Sequence, residues 1–223
     1  RWGDDDWLYL ESGGPVPAEE ASLAEPPGTE SAMATRPAWD GSFNTETLDV
    51  HFQSLRRPIS DDWLSLAERP GWLRLRGGEP TVSLFRQSLI ARRVQSFRIA
   101  VETRVDFEPA SFQHMAGLIA YYDTENHYYL RISHDEGLGR SLNIIRTDKA
   151  HSEEILDRDL APPATGPVDL KLNLDQTELS FSYRLDDEEW TPIGPRLDAT
   201  ILSDDYSHLG FTGAFVGLCA QDL

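Results

Sequence analysis

The sequence predicts an all-β fold, an antiparallel β-sandwich, and three stretches carry that prediction. Over 97–107, Phe97, Ile99, Val101, Val105 and Phe107, with Thr103 among them, alternate with Arg98, Glu102, Arg104 and Asp106, with Ala100 between. Successive side chains on a strand point to opposite faces, so this run has one buried and one solvated face. Gly117–Tyr122 and His127–Ile132 flank the short polar run Asp123–Asn126, the pattern of a β-hairpin. Val168–Leu174 and Leu179–Leu185 alternate on either side of the turn-forming Asp175–Glu178.

The other elements follow in chain order. Trp7–Leu10 reads as a short strand inside the acidic, aromatic stretch Arg1–Glu11, with nothing nearby to pair with. From Ser12 to Asn44 the composition turns to Pro, Ala, Glu, Ser and Gly and loses any apolar period, the mark of an extended linker without its own core. Trp39 is the residue available to pin it to a surface. Strand-like material resumes at Thr47–Phe52 and continues at Trp63–Leu66, after the turn signals Arg57-Pro58 and Asp61-Asp62. Trp72–Arg76 follows Arg69-Pro-Gly71 and is closed by Gly77-Gly78. Ser83–Val94 leads into the long strand over 97–107. Beyond the hairpin come a turn at His134–Gly139, strands at Ser141–Arg146 and Glu154–Leu156, a break at Pro162-Pro163, the 168–185 pair, and Trp190–Pro192 after the acidic turn Asp186–Glu189. A short helix or turn near Leu202–Tyr206 precedes Gly210–Gln221. About ten strands at this spacing suit a sandwich.

The 223 residues hold one large β domain, or one domain with attachments, and 39% hydrophobic content suffices for a core. A net charge of −18 argues against a nucleic-acid surface and against anionic membranes, which both need clustered Lys and Arg. No stretch is long and apolar enough to span a membrane. Arg1–Asp6 has neither an apolar signal-peptide region nor an initiator Met, so the chain is expected to be a piece of something longer. The lone Cys219 has no partner for an internal disulfide and sits in Gly-Phe-Val-Gly-Leu-Cys-Ala, which predicts a buried, inert thiol and suits a reducing compartment. A bacterial cytoplasmic location is the expectation.

Candidates for chemistry are few. Asp135-Glu136, Asp186–Glu189 and Asp204-Asp205 all fall in predicted turns, so they read as solvated turn acids and not as a glycosidase pair. The six histidines are scattered without metal-ligand spacing, and no nucleophile elbow, P-loop or dinucleotide fingerprint is present. Asp123–Asn126 could offer oxygens to Ca²⁺, but a hairpin loop needs none. The expectation is no metal, no cofactor and no catalytic residue in this chain. Sugar rings stack on exposed aromatic faces. Tyr121-Tyr122 and Tyr128-Tyr129 place one ring each way across the hairpin, so half are core and the rest are open to line a concave outer face. Tyr121 and Tyr128 are the candidates for sugar stacking. Gly210–Gly217 holds three glycines and two phenylalanines, poor strand material. It reads either as a β-bulge with both rings buried, or as a loop presenting Phe211 and Phe215 to a partner or ligand.

One set of motifs resembles a known family. Phe52-Gln-Ser-Leu-Arg-Arg-Pro58, Trp63–Leu66, Arg69–Leu75, Arg86–Arg93, Phe112–Leu118, Tyr121-Tyr122, His127–Leu130 and Gly210–Gly217 together resemble the C-terminal concanavalin A-like domain of glycoside hydrolase family 43 β-xylosidases and α-L-arabinofuranosidases. The resemblance covers roughly Thr47–Leu223, and Arg1–Leu10 looks like the last strand of that family's five-bladed propeller. It implies three parts: a terminal propeller strand over 1–11, a linker over 12–46 and a concanavalin A-like jelly roll over 47–223. It implies that the catalytic acid, base and tuning Asp, which invert the anomeric carbon with one water, belong to the propeller. The sandwich would pack on that propeller and lend one loop to a pocket for xylo-oligosaccharides. Phe211 is the first choice for that pocket and Phe215 the second, with Thr212 and Gly213 in the same loop. Xyloside or arabinoside preference would be set in the propeller. Two departures stand out, because the family continues beyond Gln221–Leu223 into another aromatic strand and because the propeller is missing. They leave an exposed docking face, from which homo-oligomer assembly is also expected. The alternatives are a free-standing carbohydrate-binding module for xylan and, more distantly, a lectin-like or concanavalin-type enzyme with carboxylates of its own.

Overall fold

Each apolar–polar run becomes a strand within limits set by its turns. The computed structural model describes residues 39, 41–207 and 212–222, and the chain separates into two units, Arg1–Gly41 and Ser42–Leu223. The strand predicted at Trp7–Leu10 and nearly all of the predicted linker lie outside the described residues. The second unit carries β1 (Gln53–Ser54), β2 (Leu64–Ser65), β3 (Arg74–Leu75), β4 (Ser88–Arg93), β5 (Arg98–Val105), β6 (Met115–Tyr121) and β7 (His127–Asp135). It continues through β8 (Gly139–Asp148), β9 (His151–Glu154), β10 (Val168–Asp175), β11 (Glu178–Arg184), β12 (Thr191–Asp198), a 3₁₀ turn (Ala199–Leu202) and β13 (Phe215–Gln221). Every ladder between these strands is antiparallel.

Two sheets face each other, as the sandwich reading requires. The larger has the order β1-β4-β13-β6-β7-β8-β9 and the smaller β12-β11-β10-β5. Leu118, Tyr128, Leu130, Ile132, Leu142 and Ile144 of the larger sheet meet Val168, Leu170, Leu172, Leu179, Phe181 and Ile193 of the smaller. Fully burying one such side chain is worth roughly 1.5–3 kcal/mol, so this layer dominates stability. The alternation over 97–107 survives as alternating half-buried and exposed residues along β5. Thr103 stands in the apolar row because it is opposite the buried Leu170. The solvated face carries cross-strand ion pairs, Arg98–Asp175, Glu102–Lys171 and Arg104–Asp169, between residues directly opposite each other.

The larger sheet is buried on both faces. On the side away from the smaller sheet, Leu89, Ala91, Ile119, Tyr121, Tyr129 and Cys219 form a second cluster, covered in part by Leu55, Met115, Ile145 and Phe215. Beyond the smaller sheet's edge, the inner face of β4 and β13 is closed by the β2–β3 ribbon, where Trp63 and Leu64 pack on Ile90. The Trp63 indole N–H finds the Pro58 carbonyl at 3.0 Å.

Several boundaries differ from the sequence reading. Thr47–Phe52 is not a strand: Asp49 Oδ1 accepts from the His51 N–H at 2.8 Å, and this local turn leaves Val50 85% exposed. Ser83–Gln87 is a loop, held by the Gln87 amide donating to the Thr81 and Ser83 carbonyls. The short helix or turn expected near Leu202–Tyr206 is a turn over 203–206, preceded by a 3₁₀ turn at Ala199–Leu202 that Asp198 caps. β12 extends well past the expected Trp190–Pro192. It tolerates Pro192 and Pro195 because it is an edge strand whose pairing with β11 is interrupted by a bulge.

Candidate functional site

The segment joining the 3₁₀ turn to β13 is fixed at both roots. At the first, buried Ile201 and Leu202 anchor the turn in the core, and the Tyr206 and Ser207 N–H groups both donate to the Ser203 carbonyl at 3.2 Å. The Tyr206 hydroxyl donates to Asp148 Oδ1 at 2.8 Å, and the Lys149 ammonium lies 4.5 Å from the centre of the Tyr206 ring. At the second root, Gly213 adopts φ +68°, which glycine reaches without a Cβ penalty. The Ala214 carbonyl then accepts from the Val94 N–H at 2.9 Å, and β13 begins with Phe215 between Arg93 and Tyr121.

The β6–β7 hairpin holds the two roots together. Asp204 Oδ1 accepts from the Tyr122 hydroxyl at 2.6 Å and from the Gly213 N–H at 3.2 Å. The Tyr122 hydrogen bond, then the Gly213 N–H, hold the Asp204 carboxyl below the usual carboxylate range, with the Arg93 charge adding to them. Asp123 Oδ2 accepts from the Ser207 hydroxyl at 3.0 Å, while its Oδ1 accepts from the Glu125 and Asn126 N–H groups at 2.8 Å each. The Asp123 oxygens therefore serve the hairpin turn and the first root.

The structure sorts the residues singled out from sequence. Phe211 lies outside the described residues. Thr212 is exposed and Gly213 half-buried, both at the loop's exit. Phe215 belongs to β13: its half-buried ring packs on the outer-face cluster with the Arg93 guanidinium 4.5 Å above it. Gly210–Gly217 is thus not one loop, because its last three residues are central-strand material.

The sugar-stacking assignment of Tyr121 and Tyr128 is corrected, since the two residues are only 3% and 1% exposed. Tyr121 packs against the His127 ring, 5.5 Å centre to centre, and the Tyr128 hydroxyl donates to the Asp198 carbonyl at 3.0 Å. Burial pushes the Tyr128 phenol up to about 12. Cys219 is buried as expected, its thiol pushed up to about 12 by that burial.

The acidic turns behave as turns. Asp186–Glu189 is exposed, and Asp135 Oδ1 accepts from the Gly137 and Leu138 N–H groups. Asp204 is the exception, a carboxylate set to work across 82 residues of sequence. Neither it nor Tyr122 carries a local signal, because the pairing exists only once hairpin and turn meet.

Comparisons with known proteins agree on one family. The family model for the β-xylosidase C-terminal concanavalin A-like domain matches residues 41–223. The chain is 38% identical to a β-xylosidase of Bacillus subtilis over 98% of its own length and 41% of that protein's. It is also 38% identical to a xylosidase/arabinosidase of Humicola insolens, over 100% of its own length and 42% of that protein's. Among solved structures, a xylan β-1,4-xylosidase of Bacillus halodurans superposes with a TM-score of 0.82 at 39% identity, over all of this chain and 42% of that one. The chain therefore spans about two fifths of the length of the relatives it matches.

Proposed function

The chain belongs to the family of β-xylosidase C-terminal concanavalin A-like domains, and from that premise we propose that it is the accessory, non-catalytic sandwich of a family 43 glycoside hydrolase. That enzyme would be an inverting β-xylosidase or α-L-arabinofuranosidase acting on xylo-oligosaccharides. Its carboxylates and the attacking water would reside in a five-bladed propeller. In this reading residues 1–11 are the propeller's last strand, 12–46 the linker and 47–223 the sandwich. The loop leading into β13 would border the sugar pocket, with Phe211 the first choice for a residue that enters it, Thr212 and Gly213 completing the rim, and Phe215 anchoring the strand behind. A bacterial cytoplasmic location and assembly into a homo-oligomer are proposed with it.

The observation that carries this reading is that the chain matches the Bacillus subtilis β-xylosidase over 98% of its own length but only 41% of that protein's. The use of Asp123, Asp135, Asp169 and Asp204 in turns and ion pairs points the same way. A free-standing xylan-binding module is less well supported, because Tyr121, Tyr128 and Tyr129 are filled in by the chain's own side chains.

The test replaces residues 208–212 by a Gly/Ser linker in the full-length enzyme. We expect kcat/KM on xylobiose to fall about tenfold, roughly 1.4 kcal/mol of transition-state binding, at unchanged melting temperature. An unchanged kcat/KM would contradict the pocket role.

A further inference from the structure

We infer that the loop over 79–87 is the anchor by which this sandwich docks on the rest of its own enzyme. Leu84 and Phe85 enter an apolar surface there, and Arg56 and Arg86 face acids at its edge; the inference rests on the accessory role proposed above. Val82, Leu84 and Phe85 are 45%, 53% and 73% exposed, three large apolar side chains within four residues. Other exposed apolar residues, among them Val50, Phe97 and Phe112, stand apart from one another along the chain. The loop is fastened at several points. The Glu79 N–H donates to the Arg86 carbonyl at 3.1 Å and closes its base. The Gln87 amide donates to the Thr81 and Ser83 carbonyls at 2.6 Å each. The Thr81 N–H donates to the Gln221 side-chain oxygen at 3.1 Å, and the Thr81 hydroxyl is 2.9 Å from the buried His127 on β7. These bonds hold the loop in one shape with its apolar residues outward, although burying them would be favourable. An exposed apolar tip that is already ordered loses little freedom on binding, which suits an interface anchor.

Charge gives the partner's chemistry. The loop's one acid, Glu79, is turned onto the Ser83 hydroxyl and the Arg86 N–H, while Arg86 is exposed. Beside the loop's exit, Arg57 Nη1 donates to the Ser88 hydroxyl at 3.1 Å. Its neighbour Arg56 is exposed at φ +54°, a left-handed conformation that costs a non-glycine residue energy. Arginines thus accompany the apolar tip on a chain whose net charge is −18. The surface that fits is apolar with carboxylates at its edge.

Size decides between a tethered and a separate partner. Three apolar side chains and two arginines fall far short of the roughly 20–30 residues a side that a free-standing complex uses. A partner in the same polypeptide is held at an effective concentration on the order of millimolar, so a small anchor suffices. The matched region is only 41% of the Bacillus subtilis β-xylosidase, so most of such an enzyme lies outside it and is available to cover the loop.

The experiment compares this chain with the full-length enzyme, each as wild type and with Leu84→Ser and Phe85→Ser together. Hydroxyl-radical footprinting of the wild types should label Phe85 about fivefold less in the full-length enzyme, at every protein concentration, because an interface centre excludes water. The double variant should lower the melting temperature of the full-length enzyme by about 5 °C and move that of this chain by less than about 1 °C. Equal labelling of Phe85 in both wild types would overturn the docking. Protection that disappears on dilution would overturn it too, since a second copy would then be the cover. An equal fall of melting temperature in both proteins would also contradict it, because the loop would then serve the sandwich's own fold. Hydrolysis of an aryl xyloside by this chain alone would sink the accessory role, and the footprint would still decide the docking separately.

Discussion

Gly217→Ala should lower the melting temperature of the chain by about 10 °C. Gly217 is in the middle of β13, between β4 and β6, where a Cβ would be 2.2 Å from the Ile90 carbonyl oxygen and 2.5 Å from the Ala91 Cα. Both are backbone atoms of a neighbouring strand, which have no rotamer to change. The methyl must push β13 and β4 apart, opening a ladder that separates two buried clusters. Overpacking of this kind costs roughly 3 kcal/mol, and each kcal/mol moves the transition of a domain this size by about 2–4 °C. Gly137→Ala is the control, since its Cβ would meet only the Asp135 carboxylate at 3.3 Å. Calorimetry of the two variants checks the prediction: equal small shifts would mean that β13 is not packed this tightly.

Acid should destabilise the fold well before its carboxylates titrate, through His127. This side chain is fully buried at the start of β7, with Nδ1 3.1 Å from the Asp123 carbonyl and Nε2 2.9 Å from the Thr81 hydroxyl. A carbonyl can only accept, so Nδ1 carries the proton and Nε2 accepts from Thr81, which is a complete pairing for a neutral ring. Burial pulls the imidazole down to about 4 from 6.5, against a smaller opposing pull from the Asp123 carbonyl and charge. Between those values the unfolded chain binds a proton that the folded chain refuses. Stability is therefore complete above about pH 6.5 and falls as pH drops toward 4. Between pH 7.5 and 5 the expected loss is about 2 kcal/mol. Relief of self-repulsion at a net charge of −18 acts in the opposite direction, so the comparison that isolates the effect is His127→Gln. Asp159 and Asp169 do not confuse the window: burial acts against their ionised forms, but Ser141, Asn143 and Arg131 for the first, and Arg104 and Arg184 for the second, hold both below 3.8. Urea titrations followed by tryptophan fluorescence should show wild-type stability falling relative to His127→Gln across this range. Parallel curves would mean that His127 is not buried neutral.

What could be read from residues alone was the part governed by local periodicity. β5, β10 and β11 alternate because each has one solvent face, and the sandwich follows from three such strands pairing. The larger sheet was harder to read, because β6 and β7 are buried on both sides and their tyrosines give no hint which rings stay open. That question is decided by distant cover, including Thr81 on His127 and Phe215 beside Tyr121. β12 was hidden by its prolines, which an edge strand with a bulge can hold. The glycine-rich stretch joins two roles that composition alone does not separate: Gly213 serves a backbone turn, whereas Gly217 serves a close approach of strands. Asp204 looked like any other turn acid, since its partner Tyr122 is remote in sequence. The proposed division of labour between this chain and a propeller comes from the family resemblance, not from any residue pattern here.

The most direct test of that division is hydrolysis of an aryl β-xyloside by three samples: this chain alone, a family 43 propeller alone, and the two joined as one polypeptide. The account predicts no turnover above background from the chain alone and full activity only when both parts are joined. Sustained, saturable hydrolysis by the purified chain would contradict it.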